Sequence, residues 1–481
     1  MSIAKAITNA MSGLTATARG TQTVAANLAN VMTPGYARRD VVVTAQTVGG
    51  GVRVDGIARV VNASLLSESR LSASSLGEAT ARHAFLSRME GVVGLPGGSD
   101  ALSTALTEFK TALGSAAARP DDEIRLAQVV GSASTLADRL NAASGAVQAA
   151  RGAAQEDIAA DVAVLNASLE RVAYLNARIS ILDADGKDAT PLMDERQQVI
   201  GRIAEIVPVQ EVQREAGKVA LFTSEGGVLL DGSLPARLGF QGAPHVTADQ
   251  VVGSPLQLLT LNGTPLSSGQ MKLFAGGSLA ANFAIRDELA PKLQAELDDM
   301  AFDLHQRLAD PAVDPSLAAT DAGLFTDRGA RADAADLVGL SGRLAVNAAV
   351  DPAQGGALWR VRAGLQAASP DPVGRTAVLN GLVDALGAVR PPQPGSGFEG
   401  NGTMANRFGT IESRVSARRV EAQADLAVRS TRHSTIASSL MAEGVDSDAE
   451  MQRLLQYEQA YAANARVLRA VDDMINQILR M

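Results

Sequence analysis

Apolar residues recur at seven-residue spacing at both ends of this 481-residue chain. Near the C-terminus, one row is Leu454, Tyr461, Leu468 and Ile475, and the row three residues further on is Tyr457, Asn464, Val471 and Ile478. At the N-terminus, the rows are Ile7, Leu14, Thr21 and Leu28, and Ile3, Ala10, Thr17, Val24 and Val31. This 3-4 alternation is typical of the seam of a coiled coil.

Helices at opposite ends of one chain can pair only if the whole middle closes into a loop. We interpret the two ends as one coiled coil, with everything between them inserted. The alternative is two unrelated amphipathic helices lying on a core, because surface helices share this pattern. Asn464, the polar member of the C-terminal seam, either fixes the register or faces solvent. Ser447 with Glu450 predicts a capping box ahead of the last helix.

The composition excludes several classes of function. The chain has no cysteine, which excludes disulfides and thiolate metal sites. The net charge of −9 argues against a nucleic-acid partner. No apolar run approaches the 18 or so residues of a membrane span. Polar residues such as Lys5 and Asn9 interrupt the first segment, so we do not expect a cleaved secretory signal.

The pattern along the chain predicts an α+β fold, mostly α. Its N- and C-terminal helices pair as a coiled coil, a long-helix bundle forms the main domain, and a small β domain is inserted. The predicted segments are an N-terminal coiled-coil helix (1–33), an extended arm and then a helical domain (34–206), the β domain (207–275), the helical domain continued (276–309), a small variable insertion and linker (310–397), the return of the helical domain (398–442) and the C-terminal coiled-coil helix (443–481).

No group of residues predicts catalysis, a cofactor site or a metal site. Residues 395–400 spell GxGxxG but follow a proline-rich linker rather than a strand. The acids between 183 and 188 do not match the spacing of a calcium loop. The four histidines are isolated. The adjacent acids Asp298 and Asp299 are expected on a solvated helix face. We therefore expect a protein that is not an enzyme.

Residues 25–39 read AANLANVMTPGYARR and resemble the motif shared by flagellar rod, hook and hook-associated proteins. The matching residues are Asn27, Ala29, Asn30, Thr33, Pro34, Gly35 and Tyr36. Residues 450–467 and 474–479 resemble the closing motif of the same family. Between them lie more than a hundred residues of helical pattern and the segment LMDERQQVIGRIAEIVPV (192–209), which resemble the hook-associated members of the hook–filament junction.

The resemblance implies a structural role. The terminal helices would pack into the inner tube of an axial assembly, and the chain would join hook to filament. The implied partners are copies of the chain in an axial ring, the hook protein, a second junction protein or filament protein, the flagellar export apparatus and an export chaperone near the C-terminus. The implied location is extracellular, in the flagellum, after export without cleavage. The implied assembly interface is Ile3, Ile7, Leu14, Val24, Leu28, Leu454, Tyr457, Tyr461, Leu468, Val471, Ile475 and Ile478.

Three alternatives remain at this stage. A distal rod or hook protein of the same family would show mostly β structure after the first motif. A cytoplasmic coiled-coil scaffold would lack the Thr-Pro-Gly-Tyr signature. An enzyme carried on a flagellar framework would need catalytic residues in 207–275, where no pair of them is evident.

Overall fold

The structure of the chain is a computed structural model. It describes residues 3–33, 35–47, 50–253, 255–370, 372–392 and 397–480. Pro34 of the signature and the first glycine of the GxGxxG segment lie outside the described residues.

Long helices dominate the described residues. The helices are α1 (Ile3–Ala29), α2 (Ala63–Val93), α3 (Leu102–Ala118), α4 (Glu123–Ala184), α5 (Thr190–Ile206), α6 (Gly277–Ala284), α7 (Ala290–Leu308), α8 (Arg360–Ala363), α9 (Ala377–Gly387), α10 (Met404–Ala442) and α11 (Ser447–Arg480). A π-helical turn, Ile285–Leu289, joins α6 to α7. The helical periodicity predicted for 279–309 is confirmed, as is the mostly helical α+β class.

The strands are short. They are β1 (Arg39–Ala45), β2 (Val52–Arg59), β3 (Val209–Gln213), β4 (Val219–Thr223), β5 (Val228–Asp231), β6 (Leu234–Pro235), β7 (Leu238–Gly239), β8 (Val251–Val252), β9 (Pro255–Leu256), β10 (Thr260–Leu261), β11 (Thr264–Pro265), β12 (Phe325–Asp327) and β13 (Leu344–Val346). β1 and β2 form an antiparallel hairpin, β3 to β6 form a sheet in chain order, and β10 lies between β7 and β11.

Helix α4, with 62 residues, runs through two hydrophobic cores. Its first half packs with α3, α7, α9 and the start of α10. Its second half packs with α5, α6 and strands β3 to β5. The segment 310–397, predicted as a small helical insertion and linker, also contains β12 and β13. It contributes buried residues such as Phe325 and Leu379 to the first core.

Three side-chain amides on α4 hold the β segment. Asn176 donates to the carbonyl of Val219 at 2.8 Å and accepts from its N–H at 3.2 Å. Asn166 makes the same pair of bonds with Leu238, and Gln155 makes it with Ala243. The amides of Asn176 and Asn166 therefore bind the backbones of β4 and β7 as a neighbouring strand would, and that of Gln155 binds the loop after β7 in the same way. The β segment shares both its core and part of its hydrogen bonding with α4.

Helices α2 and α10 form a long antiparallel pair. Arg419 pairs with Glu90 at 2.9 Å, and Arg432 pairs with Glu68 at 2.9 Å. The residue number rises along α10 as it falls along α2, which establishes the antiparallel direction. A third cross-pair contact joins Ser72 to His433 at 3.0 Å.

Two predictions from local patterns were wrong. Helix α11 already begins at Ser447, so its cap is Asp446, whose carboxylate accepts from the N–H of Asp448 at 2.9 Å, and Glu450 bonds Asn27 rather than reaching back to the cap. The adjacent acids Asp298 and Asp299 are buried rather than solvated, with 4% and 8% of their surfaces exposed. Helix α7 lies inside the first core, so its polar side chains also face protein rather than solvent.

Candidate assembly site at the paired chain ends

Helices α1 and α11 lie side by side and run antiparallel. Glycine positions on α1 give the alignment. A Cβ added at Gly13 would lie 2.7 Å from the side chain of Asn464, and one at Gly20 would lie 2.4 Å from the ring of Tyr457. Seven residues further along α1, Asn27 contacts Glu450. The predicted pairing of the chain ends is therefore confirmed, with large side chains of α11 seated on glycines of α1.

The face of α1 that meets α11 is built from small residues. The buried residues of α1 are Ala10, Thr17, Gly20, Thr23, Val24 and Asn27. One predicted row, which contains Ala10, Thr17 and Val24, therefore lies in the contact. The other predicted row lies beside it: Ile7, Leu14 and Leu28 are half-buried, like Ile3, and Thr21 is exposed. The second row in the contact is instead Gly13, Gly20 and Asn27.

On α11, the predicted seam residues lie at different depths. Val471 is buried, and four of them are half-buried: Leu454, Tyr457, Leu468 and Ile475. Tyr461 and Ile478 are exposed over 51% and 60% of their surfaces. Asn464 donates to the carbonyl of Ala460 in its own helix at 3.0 Å rather than across the pair. Asn464 therefore contributes to the pair by packing on Gly13.

Asn27 is the polar centre of the pair. Its Nδ2 donates to Glu450 Oε2 at 2.9 Å and to the carbonyl of Arg39 at 2.9 Å. Its Oδ1 accepts from the Tyr36 hydroxyl at 2.8 Å and from the N–H of Arg39 at 3.0 Å. A side-chain amide offers two donors and two acceptor positions, so this buried amide is fully satisfied. It joins α1, the start of the hairpin and α11 at one point.

The other described signature residues shape the turn after α1. Asn30 donates to the carbonyl of Ala26 at 2.9 Å, and Thr33 donates to Asn30 at 3.1 Å. Gly35 has a φ of 78°, a left-handed conformation that favours glycine. Tyr36 lies beneath the guanidinium of Arg39, and burial raises the pKa of its hydroxyl above the ordinary value. Ala29 is exposed at the helix end.

Sequence reasoning missed Glu450 as a partner of the signature. Its carboxylate is almost fully buried and accepts from Asn27, and also from Arg453 at 3.0 Å. Arg453 also bonds Asp40 at the start of β1. One signal was available, because Glu450 lies seven residues before Tyr457 and so occupies the seam. A buried polar pair at one level of a coiled coil is a means of setting register.

A second set of heptad-spaced positions on the pair remains exposed. On α1 these positions are Ala4, Thr8, Met11, Thr15, Ala18, Gln22, Ala25 and Ala29. On α11 they are Ala460, Ala463, Val467, Ala470 and Met474, of which only Ala460 is half-buried. We call these two sets the unpaired stripes. They repeat the 3-4 spacing of a coiled-coil seam, carry no charged residue and include the exposed side chains of Met11, Val467 and Met474.

The described ranges offer neither a candidate metal site nor a membrane-spanning helix. No group of three or more His, Cys, Asp or Glu side chains there could hold a metal ion. Among the helices of the same residues, none has both the length and the apolar character needed to cross a membrane.

Three family models match the chain. Residues 86–310 match the flagellar hook-associated protein FlgK helical domain, residues 7–36 match the flagella basal body rod protein family, and residues 437–481 match the C-terminal family of the flagellar basal body rod FlgEFG proteins. The two rod matches cover the two paired ends, and the helical-domain match covers the long bundle and the β segment.

The curated relatives described next are both named flagellar hook-associated protein 1. The chain is 25% identical over 242 residues to flagellar hook-associated protein 1 of Escherichia coli (strain K12), which covers 48% of this chain and 44% of that protein. It is 25% identical over 224 residues to flagellar hook-associated protein 1 of Bacillus subtilis (strain 168), which covers 44% of each. The matched part thus spans less than half the length of these relatives.

Among solved structures, the flagellar hook junction protein FlgK from Burkholderia pseudomallei is similar, with a TM-score of 0.43 and 22% sequence identity. The similarity covers 54% of this chain and 46% of that one. The family models and the curated relatives confirm the resemblance to the flagellar axial proteins, and within them to hook-associated protein 1.

Proposed function

We propose that this protein is a structural adaptor of the bacterial flagellum that joins the hook to the filament by axial assembly through its terminal helices. The family matches at both ends and in the helical domain support this proposal. The observation that carries it is the pair of unpaired stripes. An isolated helix pair has no need of a second uncharged heptad pattern, whereas a subunit packed among neighbours does.

The size of the exposed surface supports the same role. The chain exposes 23,644 Å², whereas a compact monomer of this mass would expose about 17,000 Å². Exposed large apolar residues are frequent on α11, where they include Met451, Leu455 and Leu479. Burial of such residues by neighbouring subunits would stabilise the assembly by about 25 cal/mol per Å².

In this proposal each part of the pair has a distinct role. The seam residues, such as Leu468 and Val471, hold α11 on α1 within one chain. The unpaired stripes contact neighbouring copies in an axial ring, the hook protein on one side, and a second junction protein or filament protein on the other. Before assembly, an export chaperone covers the exposed apolar residues of α11, and the chain leaves the cell uncleaved through the flagellar export apparatus. The role needs no catalysis.

Electron microscopy of cells lacking this gene, with an assay for filament protein in the medium, tests the proposal. The expected result is hooks of normal length without filaments, together with filament protein lost to the medium, and restoration of filaments by the intact gene. Rods without hooks would contradict the proposal and move the protein to the distal rod or hook. Full filaments would also contradict it and favour the scaffold alternative.

A further inference from the structure

Four consecutive residues of α5 contact the hairpin, α2, α4 and the β segment. Because successive residues of a helix point about 100° apart, such a run can contact neighbours on different sides of the helix. The run is Asp194, Glu195, Arg196 and Gln197, within the segment 192–209 singled out in the sequence.

Asp194 holds the base of the hairpin. Its carboxylate accepts from Arg59 Nε at 2.8 Å, from Arg39 Nη2 at 3.0 Å and from the N–H of Ala37 at 3.3 Å. Arg39 and Arg59 are direct cross-strand partners in the β1–β2 ladder. Two cations opposite one another destabilise a strand pair. Asp194, which is 7% exposed, pairs with both of them and so reduces their repulsion.

The next residues hold the helical and β segments. Arg196, fully surrounded, donates to Asn176 of α4 at 2.9 Å and to the carbonyl of Gly217, in the β3–β4 turn, at 2.7 Å. Gln197 bonds Arg70 of α2 and Glu211 of β3. Glu195 makes only an exposed ion pair with Arg171 of α4.

A continuous path of polar contacts leads from this run to the paired ends. Glu450 of α11 accepts from Asn27 of α1, which bonds both the N–H and the carbonyl of Arg39. The side chain of Arg39 then reaches Asp194 on α5. The signature of α1 and the polar run of α5 are thus two ends of one network.

We infer that Asp194, Arg196 and Gln197 form a joint that fixes the orientation of the paired ends and hairpin on the helical domain, with Asp194 as its central positioning residue. The joint holds the hairpin through ion pairs, whereas apolar contacts in the cores hold α3, α4 and α7. A change at Asp194 should therefore alter the position of the hairpin without unfolding these helices. This inference rests on the fold and does not depend on the proposed function.

Distance measurement between two spin labels tests the joint. The chain has no cysteine, so Ala45→Cys in β1 and Glu170→Cys in α4, both at exposed positions, give one defined label pair. Asp194→Asn leaves two opposed guanidinium groups without their counter-charge. We expect it to broaden the distance distribution by about twofold or more. Glu195→Gln is the matched control on the same helix and leaves the width unchanged.

A rescue variant separates positioning from general loss of structure. Adding Arg59→Gln to Asp194→Asn removes one of the two opposed cations and is expected to narrow the distribution again. If Asp194→Asn does not fold, the double change Arg39→Gln and Arg59→Gln takes its place, because it removes both ion pairs between the hairpin and Asp194, and the same broadening is expected. An unchanged width in Asp194→Asn, or in the double variant where that is used, overturns the inference.

Discussion

At the residue scale, burial of acids in α7 has the clearest consequence. Asp298 accepts from Ser341 N and Oγ at 2.9 and 2.6 Å and from Gly339 N at 2.8 Å. Asp299 lies next to it with its Oδ2 buried and without a hydrogen-bond partner. Burial is the largest influence on Asp299 and raises its pKa to about 6, although Arg407 opposes the rise. The folded protein therefore pays a cost to ionise Asp299.

Asp299→Asn should stabilise the protein at neutral pH. The pKa of Asp299 is about 6 in the folded state and about 4 in the unfolded chain. The ionisation cost is thus fully present above pH 6, shrinks as the pH falls through 6 and is absent below about pH 4. We expect a gain of about 2–3 kcal/mol in the free energy of unfolding at pH 7.5 that disappears near pH 4.

Denaturant unfolding of the variant and the unmodified protein at both pH values measures this difference. Asp298→Asn is the neighbouring control. Burial raises the pKa of Asp298 as well, but its two oxygens accept backbone N–H bonds from Gly339 and Ser341, and an amide would place its own N–H against one of them, so the variant should destabilise at pH 7.5. A gain that is equal at both pH values would contradict the assignment of the cost to ionisation.

At the element scale, the α1–α11 pair depends on close approach rather than on large buried side chains. α11 buries only Glu450 and Val471 among its described residues, whereas α4 buries a stripe along its whole length. The pair should therefore open more readily than the bundle, and its amide hydrogens should exchange faster than those of α4. Gly20, against the ring of Tyr457, sets the separation of the two helices.

Gly20→Ala should loosen the pair although alanine favours helix. Its Cβ would meet Tyr457 at 2.4 Å and push α11 away. We expect faster exchange throughout α11, measured by hydrogen exchange. Gly131→Ala on α4 has open space at its Cβ and should stabilise by about 0.5–1 kcal/mol. Adding Tyr457→Ala to Gly20→Ala should slow the exchange of α11 again in part, because it removes the ring that the new Cβ meets. Unchanged exchange in Gly20→Ala would contradict the alignment.

The amides of α4 make the β segment depend on the helical domain. Asn176 binds Val219 on both sides and also accepts from Arg196 at 2.9 Å. Asn176→Ala leaves these buried groups unpaired, so we expect a loss of about 2–3 kcal/mol in the free energy of unfolding. Denaturant unfolding measures it. Glu170→Ala, exposed on the same helix, should change it by less than about 0.5 kcal/mol. Equal effects of Asn176→Ala and Glu170→Ala would contradict the role of Asn176 in holding the β segment.

Much of this architecture could be predicted from the sequence, because long apolar periodicity identifies helices and their pairing. The face of α1 that contacts α11 was predicted only in part. Apolar counting selected the row of Leu14 and Leu28, but a glycine contributes no apolar signal, so the row of Gly13 and Gly20 was not seen. The bond between Asn27 and Glu450 joins positions 423 residues apart. No local pattern specifies such a partner, and the same holds for Asp194 and the hairpin.

At the scale of the whole molecule, the exposed surface indicates an extended chain. A compact chain of this length would have a radius of gyration of about 23 Å. The α1–α11 pair lies outside the two cores, and the α2–α10 pair contributes to the first core only through the end of α2 and the start of α10. We expect small-angle X-ray scattering of the monomer to give a radius clearly above that value. A radius near 23 Å would mean that the paired ends fold back on the bundle.

The proposed assembly depends on the unpaired stripes as contacts between neighbouring subunits. Ala463 lies on the stripe of α11, and Ala462, next to it and also exposed, lies off both the stripe and the seam. Ala463→Asp and Ala462→Asp introduce the same charge and the same loss of helix propensity. The decisive measurement is the amount of each variant in sheared flagella of cells lacking the native gene. We predict incorporation of Ala462→Asp and loss of Ala463→Asp. Equal incorporation of both variants would contradict assembly through the stripes.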